Sequence, residues 1–184
     1  VTDALTDDAL DALKGNNAEL FSAVYRAFAG QVLGYLTAKG VPDPEAITQD
    51  VFLAVLPRLD DLAGGVNGLR TFIFSVAHAR MVDEHRRKDR APEQQEFEPE
   101  RDTRESNSAE TEALVRLAPS EVMALLEHLG EEQREVLSLR IVAGLTVEQV
   151  AHIMGKSAGA VKQLQRRALV TLRGHSAVKE YVVP

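Results

Sequence analysis

The chain has 184 residues carrying 21 basic and 28 acidic side chains, a formal net charge of −7 that argues, as a total, against a nucleic-acid partner. A hydrophobic fraction of 45% beside 27% charge belongs to a folded chain, and no apolar run nears the ~20 residues of a membrane helix, so no membrane insertion is expected. The acidic start, Val1 to Asp8, lacks a signal-peptide pattern, and zero cysteines exclude disulfides and thiolate zinc sites, so a cytoplasmic protein is expected.

In chain order, a short helix over about Asp7 to Lys14 ends at Gly15, and Asn16 or Asn17 offers a cap for the next. Residues 18–39 place Leu20, Phe21, Val24, Phe28, Val32 and Leu36 at three- and four-residue spacing, an apolar helical stripe stopped by Gly40. Asp43-Pro44 starts a third helix, with Asp at the N-cap and Pro in the first turn. Its apolar positions are Ile47, Val51, Phe52, Val55 and Leu56, and it runs to Pro57. Gly64-Gly65-Val66-Asn67-Gly68 reads as a loop, and Leu69 to Arg90 as a helix with Phe72, Ile73, Val76, Ala77 and Val82 inside and basic last turns.

Residues 91–118 differ in kind: they hold two prolines and few large apolar side chains, and are strongly acidic. Such a segment cannot bury enough surface to order itself alone and reads as a linker between domains at 1–90 and 119–184. Beyond it, Ser120 can cap a helix over Val122, Leu125, Leu126 and Leu129, ended by Gly130. Glu131 to Val142 reads as one helix, and Ala143-Gly144-Leu145-Thr146 as a tight turn whose Thr caps a short helix, Val147 to Met154. After Gly155-Lys156-Ser157, Ser157 caps a last helix to about Arg173, with Val161, Leu164, Ala168 and Leu172 facing inward. No alternating run of useful length appears, so the expected fold is all-α, two small helical domains on a flexible acidic tether.

The net charge is an average over unlike parts. Residues 91–119 hold 3 basic and 8 acidic side chains, whereas Gly155 to Ser176 contains no acid at all. Two short helices joined by a Gly-containing turn, the second one basic, describe a helix-turn-helix. Ser157, Ala158, Gly159 and Ala160 allow close approach to a major groove, and Lys162, Gln163, Arg166 and Arg167 supply donors. A charge run alone reads more simply as a solvated face; the caps, the turn and the unbroken sign together favour DNA. Which side chains reach bases and which reach phosphates stays open. The histidines (78, 85, 128, 152, 175) lack ligand spacing, and no nucleophile–base pair or phosphate loop appears, so no metal, cofactor or catalysis is expected.

The stretches Glu132 to Arg140, Gly144 to Ala151, Met154 to Ser157 and Gly159 to Lys162 resemble region 4 of bacterial sigma factors. Ile47 to Leu53 resembles the region 2.2 helix, and Leu69 to Ala77 with Asp83, Arg86 and Arg87 resembles regions 2.3 and 2.4. Both blocks in one short chain are similar to the extracytoplasmic-function (ECF, group 4) branch of the sigma-70 family. The resemblance implies a factor that binds core RNA polymerase, through its β′ clamp and β subunits, and directs it to promoter DNA while assisting melting. It implies that Gln49, Asp50 and Phe52 contact the polymerase, and that Phe72, His78, Arg80, Arg86 and Arg87 take part in the −10 element. It likewise implies that Ser157, Ala158, Lys162, Gln163, Arg166 and Arg167 meet the −35 element. The linker would thread the polymerase cleft, and an anti-sigma factor would be a further partner. The chain departs from the family at Ala46, often Asp; at Phe72, often Trp; and at His78-Ala79, often Arg-Asn, which leaves the capture of the −10 base in question. The competing reading is a stand-alone helix-turn-helix regulator acting without polymerase, which leaves the first block without a role.

Overall fold

The structure is a computed structural model that describes residues 5–89 and 124–174. The expected linker at 91–118 and the expected cap at Ser120 lie outside the described residues. Every regular element among the described residues is helical, and the chain divides into two units that part at His85–Arg86. None of the described helices is long and apolar enough to cross a membrane.

In the first unit, α1 spans Asp7–Leu13, α2 Asn17–Ala38 and α3 Pro44–Val55, and α4, Gly65–Asp89, begins there and runs four residues past its limit. Local chemistry sets most of these limits. The Thr6 hydroxyl accepts from Ala9 N at 3.2 Å, and the Asp43 carboxylate accepts from Ala46 N at 3.0 Å, each cap worth about 1 kcal/mol. Asn16 occupies the cap position of α2 without a side-chain capping bond. The stripe of α2 is buried as Leu20, Val24, Phe28, Val32 and Leu36, joined by Tyr35, while Phe21 is only half-buried. Opposite it lie Val51, Phe52 and Val55 of α3, and Leu69, Ile73, Phe74, Ala77 and Met81 of α4 complete the core. Val76 and Val82, expected inside, are half-buried, because the buried face of α4 is centred one residue away, on Ile73 and Ala77.

The start of α4 differs from its sequence reading. Gly65 to Gly68 is helix and not loop, because a side chain 59 residues away supplies the cap. Asp7 Oδ1 accepts from Val66 N at 2.7 Å, which places a carboxylate at the positive end of a 25-residue helix. Gly65 has φ +60, and a Cβ there would collide with that same carboxylate. Gly65→Ala is therefore expected to cost about 2 kcal/mol or more, combining left-handed backbone strain with a broken cap. Circular dichroism melting should show a transition lowered by several degrees.

In the second unit, a helical turn at 124–126 leads to Gly130, then α5 (Glu131–Leu137), α6 (Val147–Met154) and α7 (Ala158–Arg173). The single helix expected to Val142 is interrupted: Ser138–Val142 forms a π-helical turn, in which Ala143 N reaches back to Ser138 O at 3.2 Å. Five consecutive residues, Glu135 to Leu139, are buried there, so the chain is covered on all sides where α5 passes into the π turn. Arg134 bridges backwards, donating to the carbonyls of Leu126 (2.9 Å), Glu127 (3.1 Å) and Leu129 (3.1 Å). It thereby adds donors to carbonyls at the end of the preceding helical turn, where that of Leu126 also accepts from Leu129 N at 3.2 Å.

Candidate nucleic-acid interface

The helix-turn-helix is assembled from local signals that the structure bears out. Thr146 and Gln149 form a reciprocal capping box: Gln149 N donates to Thr146 Oγ1 at 3.2 Å, and Thr146 N donates to Gln149 Oε1 at 2.7 Å. Gly155 closes α6 at φ 63, in the left-handed region that costs glycine little, and Lys156 N returns to Ala151 O at 2.9 Å. Ser157 Oγ then accepts from Ala160 N at 3.1 Å and starts α7.

The inward face of α7 is Val161, Gln165, Ala168, Leu169 and Leu172. Leu164, expected inside, is only half-buried, and Gln165 takes the buried position beside it. At 100° per residue the opposite face presents Gly159, Gln163, Arg166, Arg167 and Val170, with Lys162 exposed on its flank. Ser157 is exposed with its hydroxyl used as the cap, and Ala158 is half-buried beside it. Gln163 and Arg166 are half-buried, and Gln163 Oε1 and Arg166 Nε are themselves buried without a hydrogen-bond partner among the described residues. Lys156 belongs elsewhere: its Nζ lies 2.6 Å from Glu132 Oε1, which ties the turn to α5. Lys162, Gln163, Arg166 and Arg167 thus place four donor-bearing side chains along one helix, with no carboxylate between them.

On α4 the expected −10 residues do not share one face. Phe72, Arg80, Arg86 and Arg87 fall within about a third of the helix circumference. Arg80, Arg86 and Arg87 are exposed, and Phe72 is half-buried. His78 lies two residues before Arg80 and so on the other flank, where its Nδ1 shares a 3.2 Å hydrogen bond with the hydroxyl of fully buried Tyr35. The Tyr35 ring meets Phe74 edge-on at 5.8 Å. His78 is thus tied into the unit's core contacts.

On α3, Gln49 and Asp50 are exposed as expected. Phe52 is not: it is 1% exposed, with ring centroids 4.8 Å from Tyr25 and 6.4 Å from Phe21, so it cannot itself present a contact surface. The exposed apolar neighbour is Leu53, 65% accessible, in line with Gln49 and Leu56 at i−4 and i+3. Tyr25, held against Phe52, is 39% accessible beside it. Periodicity alone does not single out Leu53, Leu56 and Tyr25, because two adjacent apolar residues leave open which of them the neighbouring helix covers. Among the described residues no cluster of His, Asp and Glu is placed to hold a metal ion.

Residues 125–174 match the family model described as sigma-70, region 4. The chain is also 35% identical over 133 residues to the ECF RNA polymerase sigma factor ShbA of Streptomyces griseus, an alignment covering 70% of this chain and 69% of that one. The chain belongs to the ECF sigma-factor family. The ECF sigma factor SigD of Mycobacterium tuberculosis is 33% identical over 129 residues, covering 69% of this chain and 60% of its own. The solved structure of CnrH, in complex with the cytosolic domain of CnrY, shares the fold with a TM-score of 0.61 at 22% identity, over 91% of this chain and 95% of that one. The region 4 match falls on the helix-turn-helix formed by α6 and α7, with α5 and the π turn ahead of it.

Proposed function

We propose that this chain binds core RNA polymerase, directs it to promoters with defined −10 and −35 elements, and assists strand opening without itself catalysing a reaction. The observation that carries this reading is the capped helix-turn-helix whose α7 turns Gln163, Arg166 and Arg167 away from its apolar face, with Lys162 exposed on the flank, inside the stretch matching sigma region 4. The domains are assigned as 1–90 for polymerase and the −10 element, 91–118 for the linker, and 119–184 for the −35 element. In the first, the polymerase contact is Gln49, Asp50 and the Leu53–Leu56–Tyr25 patch, with Phe52 supporting it from below. The β′ clamp and β subunits are its partners, in the cytoplasm.

Arg80, Arg86 and Arg87 hold strand phosphates along one side of α4, where an ionised guanidinium meets each phosphate without reading sequence. Extruding a base from the stack costs a few kcal/mol, which suits A·T-rich −10 DNA beside a protein surface prepared in advance. The region 4 surface then reads the −35 duplex in the major groove. An anti-sigma factor covering both surfaces is a natural regulator, and CnrH is known with a bound CnrY domain.

The deciding experiment is run-off transcription with core polymerase on genomic DNA, with transcript starts mapped. Starts that share −10 and −35 sequences support the proposal. Tight, sequence-specific binding to promoter duplex without polymerase would favour the stand-alone regulator instead.

A further inference from the structure

Arg140 lies outside the basic cluster of α7, yet the structure makes it the hinge pin of the helix-turn-helix. It sits in the middle of the π turn, half-buried, and donates in two directions. Its Nη1 donates to the carbonyl of Leu145, at the entry to α6. Its Nε donates to Gln165 Oε1 at 3.3 Å, halfway along α7. Gln165 is the one polar residue in the buried stripe of α7, 9% exposed where the pattern of Val161, Ala168, Leu169 and Leu172 asks for an apolar side chain. Burying an amide there is costly unless it is hydrogen-bonded, and an apolar residue would serve packing as well or better.

What the amide adds is direction. Apolar contacts are non-directional and tolerate rotation of a helix about its axis, whereas a hydrogen bond weakens steeply once its angle is lost. A guanidinium or ammonium on α7 lies roughly 10 Å from the helix axis, so a rotation of about 20° moves it about 3 Å, enough to lose a base edge. Lys162 and Arg166 flank Gln165 in sequence, so the residue that fixes the rotation sits among those whose aim depends on it. The π turn supplies the anchor, because its widened backbone brings Arg140 to where both partners are in reach.

We infer that Arg140, acting through Gln165, is a positioning residue for −35 recognition: it sets the rotation of α7 against α6 and so decides which base edges its side chains meet. This rests on the reading of α7 as the −35 element. The test uses holoenzyme with the full chain carrying Arg140→Met, Gln165→Leu or both, transcribing a cognate promoter and promoters with single −35 substitutions. The ratio of cognate to substituted output should fall about fivefold or more for each single variant and no further for the double, the size of one lost base contact. Gln165→Glu keeps an acceptor for the guanidinium and should keep the ratio. Output from a pre-opened template without −35 duplex should be unchanged. An unaltered ratio for Gln165→Leu overturns the inference, as does a loss that merely tracks lost helicity. If Arg166→Ala also leaves −35 dependence intact and Lys162→Ala leaves promoter affinity and its salt slope unchanged, the assignment of α7 itself fails, a different result.

Discussion

Leu53→Asp should abolish stable association with core RNA polymerase while leaving the chain folded. Leu53 is 65% exposed at the centre of the Gln49–Leu53–Leu56 line, with Tyr25 alongside, so it makes little contribution to the core and much to any surface laid on α3. Exposed substitutions away from caps and cores usually change stability by within about 0.5 kcal/mol. At an interface the same change removes an apolar anchor and buries a carboxylate with no matched cation, which together cost about 3 kcal/mol or more and weaken binding at least a hundredfold. Co-elution with core enzyme on a sizing column, alongside a melting curve, checks both halves. Phe52→Ala should show the opposite pattern, a loss of about 3–5 kcal/mol of stability from a cavity beneath Tyr25. An unchanged melting curve for Phe52→Ala together with lost polymerase binding would return Phe52 to the contact surface and remove it from the support.

The second large effect is expected at α7. Arg166→Ala should lower promoter-specific initiation by about 1–3 kcal/mol of binding if the guanidinium reads a base, and relax the preference at one −35 position. Lys162→Ala should weaken all promoters alike and reduce the salt slope of holoenzyme binding by about one, the signature of a lost phosphate contact. Neither should release the chain from polymerase, because the proposed polymerase surface lies on the other unit. Filter binding of holoenzyme across salt concentrations and a panel of −35 sequences separates the two cases. Equal loss of core binding would mean that the second unit, and not α3, carries the polymerase contact.

The acidic total charge of −7 is compatible with this role because its parts act separately. The stretch from Gly155 to Ser176 has no acid, so a phosphate backbone docking on α7, as proposed, would meet basic side chains whatever the average. A whole chain of negative sign binds DNA weakly by itself and more strongly once polymerase adds its own contacts, a useful property for a factor meant to act only in the holoenzyme.

Elements set by neighbouring residues are legible in the sequence itself. Asp43 with Pro44, Thr146 with Gln149, and Ser157 with Ala160 each place cap and helix within three residues, so composition and order alone locate α3, α6 and α7. The three- and four-residue spacing that marks α2 is equally local, and the basic face of α7 follows from the same period. What tertiary structure alone decided involves partners far apart in the chain. Asp7 caps α4 across 59 residues, so no local signal marks Gly65 to Gly68 as helical. Gln165 is buried because Arg140, 25 residues earlier, reaches it from a π turn that helical periodicity does not encode. Phe52 and Leu53 are adjacent and both apolar, and only the packing of α2 determined which became core and which became surface. Short-range hydrogen bonding and apolar period are written in the order of the residues; the choice among equivalent faces is made by whatever the folded chain brings against them.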